Sequence, residues 1–209
     1  MKKTKGTGTV RNKARSKQRF LDAVEEILIE KGVSALKVND VAKAAGLDKK
    51  LIYNYFGGMD QLIDEYIQTK DFWSNVKGDK IPASITDGGK AFVAENLLVQ
   101  FEYVFKDKAF QKLLVWRLTE QRESLRKLTD AQEANGELLL QGITDPHFGE
   151  NAAQFRAIMA VLISGAYYLN LYAAVNGSVF CGIDVASEEG RKQIRRALSF
   201  LLESTYSGL

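Results

Sequence analysis

Residues 38–56, VNDVAKAAGLDKKLIYNYF, carry the signals of two short helices joined by a tight turn. Apolar residues at helical spacing predict that the first helix runs over residues 39–45. Gly46 stands where a left-handed residue would end that helix, a conformation that glycine adopts without steric cost. Leu47 follows as an apolar residue that fills the turn, and Asp48 is placed to cap the N-terminus of the second helix. The stretch therefore predicts a helix-turn-helix.

The second helix, expected over residues 49–55, has two unlike faces. Ile52 and Phe56 are four residues apart, so they share a face that we expect to be buried. The opposite face carries Lys49, Lys50, Tyr53 and Asn54. Such a face suits the major groove of DNA, because lysine and tyrosine bind phosphates and asparagine can read a base edge. An ordinary helical hairpin with a solvated charged face is the other interpretation of this pattern.

A wider stretch, AKAAGLDKKLIYNYFGGMDQL preceded by EKGVSALKV, resembles the N-terminal domain of the TetR (tetracycline-repressor) family of transcriptional regulators. The resemblance covers roughly residues 16–66. It rests on the spacing A-x-x-A-G-L followed by I-Y-x-Y-F, which fixes the turn, the cap, the packing and the groove face together. It implies an all-α fold with an N-terminal three-helix helix-turn-helix DNA-binding domain and a larger C-terminal helical domain for ligand binding and dimerisation.

The resemblance also implies a function and a set of contact residues. We expect a homodimer that binds double-stranded DNA, acts as a repressor, and is released from a palindromic operator by a small-molecule effector. The residues expected to contact DNA are Lys37, Asn39, Lys49, Lys50, Leu51, Tyr53, Asn54 and Tyr55.

The chain departs from the pattern of the family in three respects. Lys37 and Val38 stand where hydroxyl residues are usual, Lys50 where a small residue is common, and Met59 where a lysine often contacts a phosphate. These changes put the usual phosphate contacts in question, and Lys37, Lys49 and Lys50 would compensate for them electrostatically. The alternative that they leave open is a helical ligand-binding or protein-interaction module whose helix-turn-helix no longer reads DNA.

The charge of the chain is unevenly distributed. Residues 1–60 hold 13 basic and 7 acidic residues, whereas the remainder holds 16 and 19, and the first twenty residues hold eight basic and no acidic ones. This asymmetry indicates a polyanionic partner for the N-terminal part. A basic tail kept for solubility and attachment to an anionic membrane surface are the other interpretations.

The composition argues against catalysis. The single Cys181 and single His147 offer no zinc cluster, and no phosphate-binding loop or nucleophile elbow is present. We therefore predict no enzyme activity, no catalytic residues, no metal and no cofactor; a helical enzyme acting on a small apolar substrate is the alternative. One cysteine fits a reducing cytoplasm, and no apolar run approaches the roughly 20 residues of a membrane span.

Hydrophobic residues make up 45% of the chain, enough for a core, and two prolines leave long stretches free to be helical. We expect a basic flexible arm over 1–15, a DNA-binding domain over 16–58 and a C-terminal domain over 59–209. A helix capped by Ser16 would open the DNA-binding domain, and a linking helix over 59–74 would open the C-terminal one. Loops are expected over 74–89 and around Pro146.

The C-terminal domain has candidate surfaces for a partner subunit and for a ligand. In the family, the last two long helices pair with their copies, and the stretches near 152–176 and 187–204 fit that use; closing the monomer core is the alternative. Aromatic residues indicate an apolar pocket with a few polar groups, although plain core packing explains them too. The candidate pocket residues are Tyr103, Trp116, Arg117, Tyr168 and Asn170.

Overall fold

The computed structural model describes residues 7–70, 85–175 and 177–209, and it is all-α apart from one short hairpin. The chain forms two compact units. The first contains α1 (Thr7–Lys31), a 3-10 turn (Val33–Ala35), α2 (Val38–Ala45), α3 (Lys50–Phe56) and α4 (Met59–Thr69). Residues 112–128 also belong to it.

The core of the first unit is built from the apolar stripes of its helices. Phe20, Val24 and Leu28 of α1 are fully buried, as is Ile52 of α3. They pack with α2, α4 and three residues from the segment 112–128, which are Leu113, Trp116 and Leu125. The small DNA-binding domain expected from the sequence therefore shares its core with a segment from the middle of the chain.

The second unit contains α5 (Lys90–Lys106), the start of α6 (Lys108–Thr119) and most of α7 (Glu123–Leu139). A π-helical turn (Leu140–Thr144), α8 (Asp145–Phe148) and a 3-10 turn (Gly149–Asn151) lead into α9 (Ala152–Val175). The chain ends with a hairpin and α10 (Glu188–Gly208), which Ser187 caps as predicted, by accepting a hydrogen bond from the Gly190 N–H. The core is formed by α5, α8, α9 and α10, with Phe101 and Phe155 fully buried.

The first helix is longer than predicted. It begins at Thr7, nine residues before the Ser16 that we expected to cap it, so residues 7–15 are helical and do not form a flexible arm. The physical reason is that arginine, lysine and alanine, which fill positions 11–15 together with Asn12, sustain a helix well. Residues 1–6 lie outside the described part of the chain.

The loop predicted around Pro146 is wrong, because residues 140–151 continue in helical turns. Proline is tolerated there since it occupies the first turn of α8, where its missing N–H would have no partner. The Arg156 guanidinium also joins the two sides of this bend, donating to Glu137 at 2.6 Å and to Asp145 at 2.6 Å. These contacts span up to 19 residues, so local sequence signals do not report them.

Two further boundaries differ from the prediction. The linking helix ends at Thr69 instead of continuing to residue 74, and the predicted loop over 74–89 lies mostly outside the described residues. A hairpin that we did not predict pairs β1 (Val179–Phe180) with β2 (Ile183–Asp184). Cys181 and Gly182 form its turn with φ of 51° and 77°, the left-handed values that a two-residue hairpin requires.

Candidate functional site

The turn between α2 and α3 has the geometry predicted from the sequence. Gly46 adopts φ 61° and ψ 37°, and its N–H bonds back to α2. The Leu47 N–H donates to the Ala42 carbonyl at 3.1 Å, which completes the helix end. The Asp48 carboxylate accepts a hydrogen bond from the Lys50 N–H at 2.8 Å. A left-handed glycine and a capping aspartate thus fix the angle between the two helices.

The third helix has one buried and one exposed face. Ile52 is fully buried, and the Phe56 ring meets Phe20 edge to face at 6.1 Å between centroids. On the other side Tyr53 is 56% exposed, and Lys49, Lys50 and Asn54 are exposed with it. The helix therefore presents two ammonium groups, a phenol and an amide to the solvent, the side chains that groove recognition uses.

The other residues predicted to contact DNA occupy the edges of this face. Lys37 and Asn39 are exposed at the start of α2, and the Lys49 ammonium donates to the Asn39 side-chain oxygen at 3.2 Å, which ties α3 to α2. Leu51 and Tyr55 are half-buried and pack against the core. Six of the eight residues predicted to contact DNA are therefore polar and exposed, whereas Leu51 and Tyr55 mainly pack against the core.

Two of the three departures from the family pattern have a structural explanation. Val38 and Met59 are both half-buried and pack against the core of the first unit. Where the family usually has a polar side chain, each of these two residues makes apolar contacts beside the exposed face of α3. Lys50, the third departure, stays exposed at the start of α3, where it adds a positive charge.

Two lysines of α1, which we did not predict to be site residues, lie beside α3. The Lys17 ammonium lies 4.6 Å from the centroid of the Phe56 ring and 2.8 Å from the Glu65 carboxylate. The Lys13 ammonium lies 5.4 Å from the centroid of the Tyr55 ring. The signal available in the sequence was the absence of acidic residues among the first 21, which we interpreted as a flexible arm.

Comparison with known proteins identifies the first unit. Residues 20–66 match the model of the bacterial regulatory proteins, tetR family. The chain is also 31% identical over 99 residues to the HTH-type transcriptional regulator AlkX of Mycobacterium tuberculosis (strain ATCC 25618 / H37Rv). Residues 20–66 form a TetR-family domain. The match with AlkX covers 47% of this chain and 45% of that relative, so the chain matches about half the length of the relative.

Solved structures share the fold over most of the chain. The regulator FadR from Bacillus subtilis, in complex with stearoyl-CoA, aligns with a TM-score of 0.61 and 17% identity over 92% of this chain and 98% of its own. A putative TetR-family regulator from Rhodococcus sp. aligns with a TM-score of 0.60 and 17% identity over 90% of this chain and 99% of its own. The all-α, two-part architecture predicted from the sequence is confirmed.

The five candidate pocket residues are distributed over both units. Trp116 is buried in the first unit, where its indole N–H donates to Glu120 at 2.7 Å, and Arg117 follows it in α6. The Tyr103 hydroxyl donates to Asp107 at 2.8 Å. Tyr168 is 55% exposed. The role of these residues in ligand binding stays a prediction.

Asn170, the fifth pocket candidate, is fully buried and engaged within the protein. Its amide N–H₂ donates to the carbonyls of Phe101 and Ala166, and its oxygen accepts from Arg191 at 3.0 Å. The Arg191 guanidinium is 2% exposed, lies 3.8 Å from the centroid of the Phe105 ring, and pairs with Glu102 at 3.0 Å. This buried polar cluster joins α5, α9 and α10, and nothing in the local sequence singled out Arg191.

The two last long helices expose a broad apolar surface. The side chains that are 46% to 72% exposed are Val161, Tyr168 and Val175 of α9 and Phe200 and Leu201 of α10. A groove lined by both helices runs along this surface and includes Ala157, Val161, Leu201 and Ser204. We call these residues the α9–α10 face. Exposed apolar residues on two neighbouring helices make this face a candidate interaction surface.

The helical run Glu123–Val175 is long and apolar enough to cross a membrane by length and composition alone, with a mean hydropathy of 1.6 over 18 residues. We had expected no such segment. Within this run Arg156 pairs with Glu137 and Asp145, and Asn170 bonds Arg191, groups that are costly in hydrocarbon. These polar contacts tie α9 to neighbouring elements of the second unit.

The described residues also bear on metal binding. Among residues 7–70, 85–175 and 177–209, no group of three or more His, Cys, Asp or Glu side chains lies close enough together to hold a metal ion.

Proposed function

We propose that this protein is a TetR-family regulator that acts as a homodimeric, sequence-specific DNA-binding transcriptional repressor. Double-stranded DNA is its macromolecular partner, and a small-molecule effector releases it from a roughly palindromic operator. Since DNA is the partner, the protein acts in the cytoplasm.

The observation that carries the proposal is the exposed polar face of α3. The angle between α2 and α3 is fixed by Gly46 and by the Asp48 cap, so the helix is a rigid unit that can enter a major groove. Lys49 and Lys50 supply positive charge for phosphates, Tyr53 supplies a hydroxyl, and Asn54 supplies an amide able to bond an adenine edge with two hydrogen bonds.

The α9–α10 face supports the dimer. Both helices bury their other sides against the core of the second unit, with Phe155 and Leu202 almost fully buried. The remaining side is apolar and exposed, as expected for a self-complementary surface that pairs with its copy around a two-fold axis. A symmetric dimer presents two copies of α3, which would enter successive major grooves about one helical turn, roughly 34 Å, apart.

An effector would act by favouring one of two subunit arrangements. If it binds better to an arrangement with the wrong spacing between reading helices, it lowers the affinity for DNA by linkage. The candidate residues remain Tyr103, Trp116, Arg117, Tyr168 and Asn170. FadR of Bacillus subtilis was solved with stearoyl-CoA, which supports a small-molecule site in this protein without fixing its position or the effector.

Substitutions on α3 separate phosphate contacts from base contacts. We expect Lys49→Ala and Tyr53→Phe to weaken binding to the operator and to random duplex DNA by similar factors, because phosphates are the same in both. We expect Asn54→Ala to relax the preference at one base pair, by about 1–3 kcal/mol, because it removes a bidentate base contact. Fluorescence anisotropy on the operator and on its single-base variants measures both effects.

The matched control is Lys106→Ala, which removes an exposed cation at the end of α5. It should bind all duplexes like the unaltered protein. Equal losses on operator and random DNA for all three α3 variants would contradict the assigned roles. Binding to no duplex at any salt concentration would favour the alternative, a ligand-binding module whose helix-turn-helix no longer reads DNA.

A further inference from the structure

The N-terminal half of α1 extends beyond the core that stabilises the rest of the helix. Residues 11–15 are all exposed, whereas Phe20 begins the buried stripe. At a rise of 1.5 Å per residue, the nine residues from Arg11 to Arg19 span about 14 Å. This segment holds five cations and no acidic residue. We call residues 11–19 the basic extension.

The basic extension is held beside the end of the reading helix. The Lys17 ammonium pairs with Glu65 at 2.8 Å and lies over the Phe56 ring, and the Lys13 ammonium lies over the Tyr55 ring. Tyr55 and Phe56 are the last two residues of α3. The extension therefore lies beside the C-terminal end of α3.

Two arginines on the outer side of the extension are not used by these contacts. At about 100° per residue, Arg11 and Arg15 lie on the side of the helix opposite Lys13 and Lys17. Both are exposed. They are four residues apart, so they form a pair of like charges one turn from each other.

This arrangement costs the isolated protein stability. Like charges at positions i and i+4 of a helix repel each other, and the exposed turns gain little from burial in return. A polyanion attracts both arginines at once, so the pair of like charges stabilises the complex with the polyanion. When α3 lies in the major groove, the phosphates that border the groove beyond the end of α3 are the nearest polyanion.

From this geometry we propose that the basic extension is a second DNA-binding surface. Arg11 and Arg15 bind backbone phosphates outside the half-site that α3 reads, without preference for base sequence. The inference rests on the proposed function, since it requires that α3 occupies a groove. In this proposal the basic extension contributes affinity and determines the length of the bound DNA site. The third helix, α3, determines which base sequence is preferred.

The test compares Arg11→Gln/Arg15→Gln with the unaltered protein and with Lys106→Gln/Lys108→Gln. The control removes two exposed cations at the end of α5 and the start of α6. The probe is the duplex that the unaltered protein enriches most from a random DNA pool. Binding is measured from 50 to 200 mM salt, on this duplex with long flanks and on one trimmed to the two half-sites. Thermal unfolding of each variant is recorded in parallel.

We expect the slope of log affinity against log salt on the long duplex to fall by about 3.6, because each of the two subunits loses two phosphate contacts, at roughly 0.9 per phosphate. The preferred sequence should not change, and the difference from the unaltered protein should vanish on the trimmed duplex. The melting temperature should be unchanged or higher, because removing like charges cannot weaken the helix. The control should match the unaltered protein on both duplexes.

An unchanged salt slope in the extension variant, with steep salt dependence in the unaltered protein, overturns the inference and leaves the proposed function intact. An equal loss on both duplexes also overturns it, since the contacts would then lie within the half-sites. No duplex binding by the unaltered, folded protein overturns the proposed function and the inference together.

Discussion

The double variant Val161→Glu/Phe200→Glu is expected to be a folded monomer with operator affinity reduced by 10²-fold or more. Both side chains belong to the α9–α10 face and are 72% and 70% exposed in the single chain, so the charges should not disturb its core. In a dimer they would be buried without partners, which is strongly unfavourable. Separate monomers lose the gain of about 10²–10⁴ that linking two binding sites provides.

Sedimentation equilibrium and anisotropy with the operator duplex measure the two effects together. The matched control is Leu118→Glu/Leu138→Glu, which places two carboxylates on apolar residues that are 77% and 68% exposed on α6 and α7. That control should remain dimeric and bind normally. A variant of the α9–α10 face that stays dimeric would show that the subunits associate through another surface.

Replacing Arg191 by alanine is expected to destabilise the second unit by about 3–5 kcal/mol, the usual result of removing one partner of a buried ion pair. The Arg191 guanidinium is 2% exposed and bonds Asn170 and Glu102. It also lies 4.3 Å from the centroid of the Phe101 ring. Its loss leaves the Asn170 oxygen without this donor and a cavity between α5 and α10. Urea unfolding followed by circular dichroism measures the change.

Lys192→Ala, one residue further along α10, is the control, because Lys192 is exposed and should contribute within about 0.5 kcal/mol. Arg191→Lys tests the geometry, since one ammonium cannot reproduce the planar fork of a guanidinium between two acceptors. A loss of stability no larger than that of Lys192→Ala would contradict the structural role of the cluster.

The stability that this cluster provides should depend on pH. Burial acts to raise the pKa of Glu102, but hydrogen bonds from Arg195 and Arg191 and their charges outweigh it, so the pKa lies below its usual value. A carboxylate with a lowered pKa in the folded state stabilises the fold above its unfolded pKa, and this contribution is lost as the pH falls through the folded pKa. The difference between the unaltered protein and Arg191→Ala should therefore be smaller at pH 3 than at pH 7.

The sequence predicted the helix-turn-helix well because its signals are local. Gly46 ends one helix, Asp48 caps the next, and the spacing of Ile52 and Phe56 sets the buried face, all within eleven residues. The Ser187 cap of α10 was correct for the same reason. Each of these features depends on backbone groups a few residues away, which a single sequence displays directly.

The features that the sequence did not predict depend on distant partners. Arg191 is buried because Glu102 lies 3.0 Å away, and the bend around Pro146 is helical beside the ion pairs of Arg156. Trp116, a candidate pocket residue, packs in the core of the first unit, which its local sequence did not indicate. Helical periodicity shows which face of a helix is apolar, but it does not show which neighbour covers that face.

The early start of α1 had a local signal that we interpreted in another way. Positions 11–15 combine high positive charge with good helix formers, and charge alone favoured a disordered arm. The contacts of Lys13 and Lys17 with the rings of Tyr55 and Phe56 hold that helix beside α3. The candidate DNA surface is therefore wider than the reading helix.

Selection of bound duplexes from a random DNA pool, followed by sequencing, tests the central claim most directly. The full-length protein should enrich a near-palindrome whose two half-sites are centred about one helical turn apart. Asn54→Ala, run in parallel, should enrich a sequence that is relaxed at one position in each half-site. No enrichment by a protein shown to be folded and dimeric would contradict the account, because the exposed face of α3 would then not read DNA.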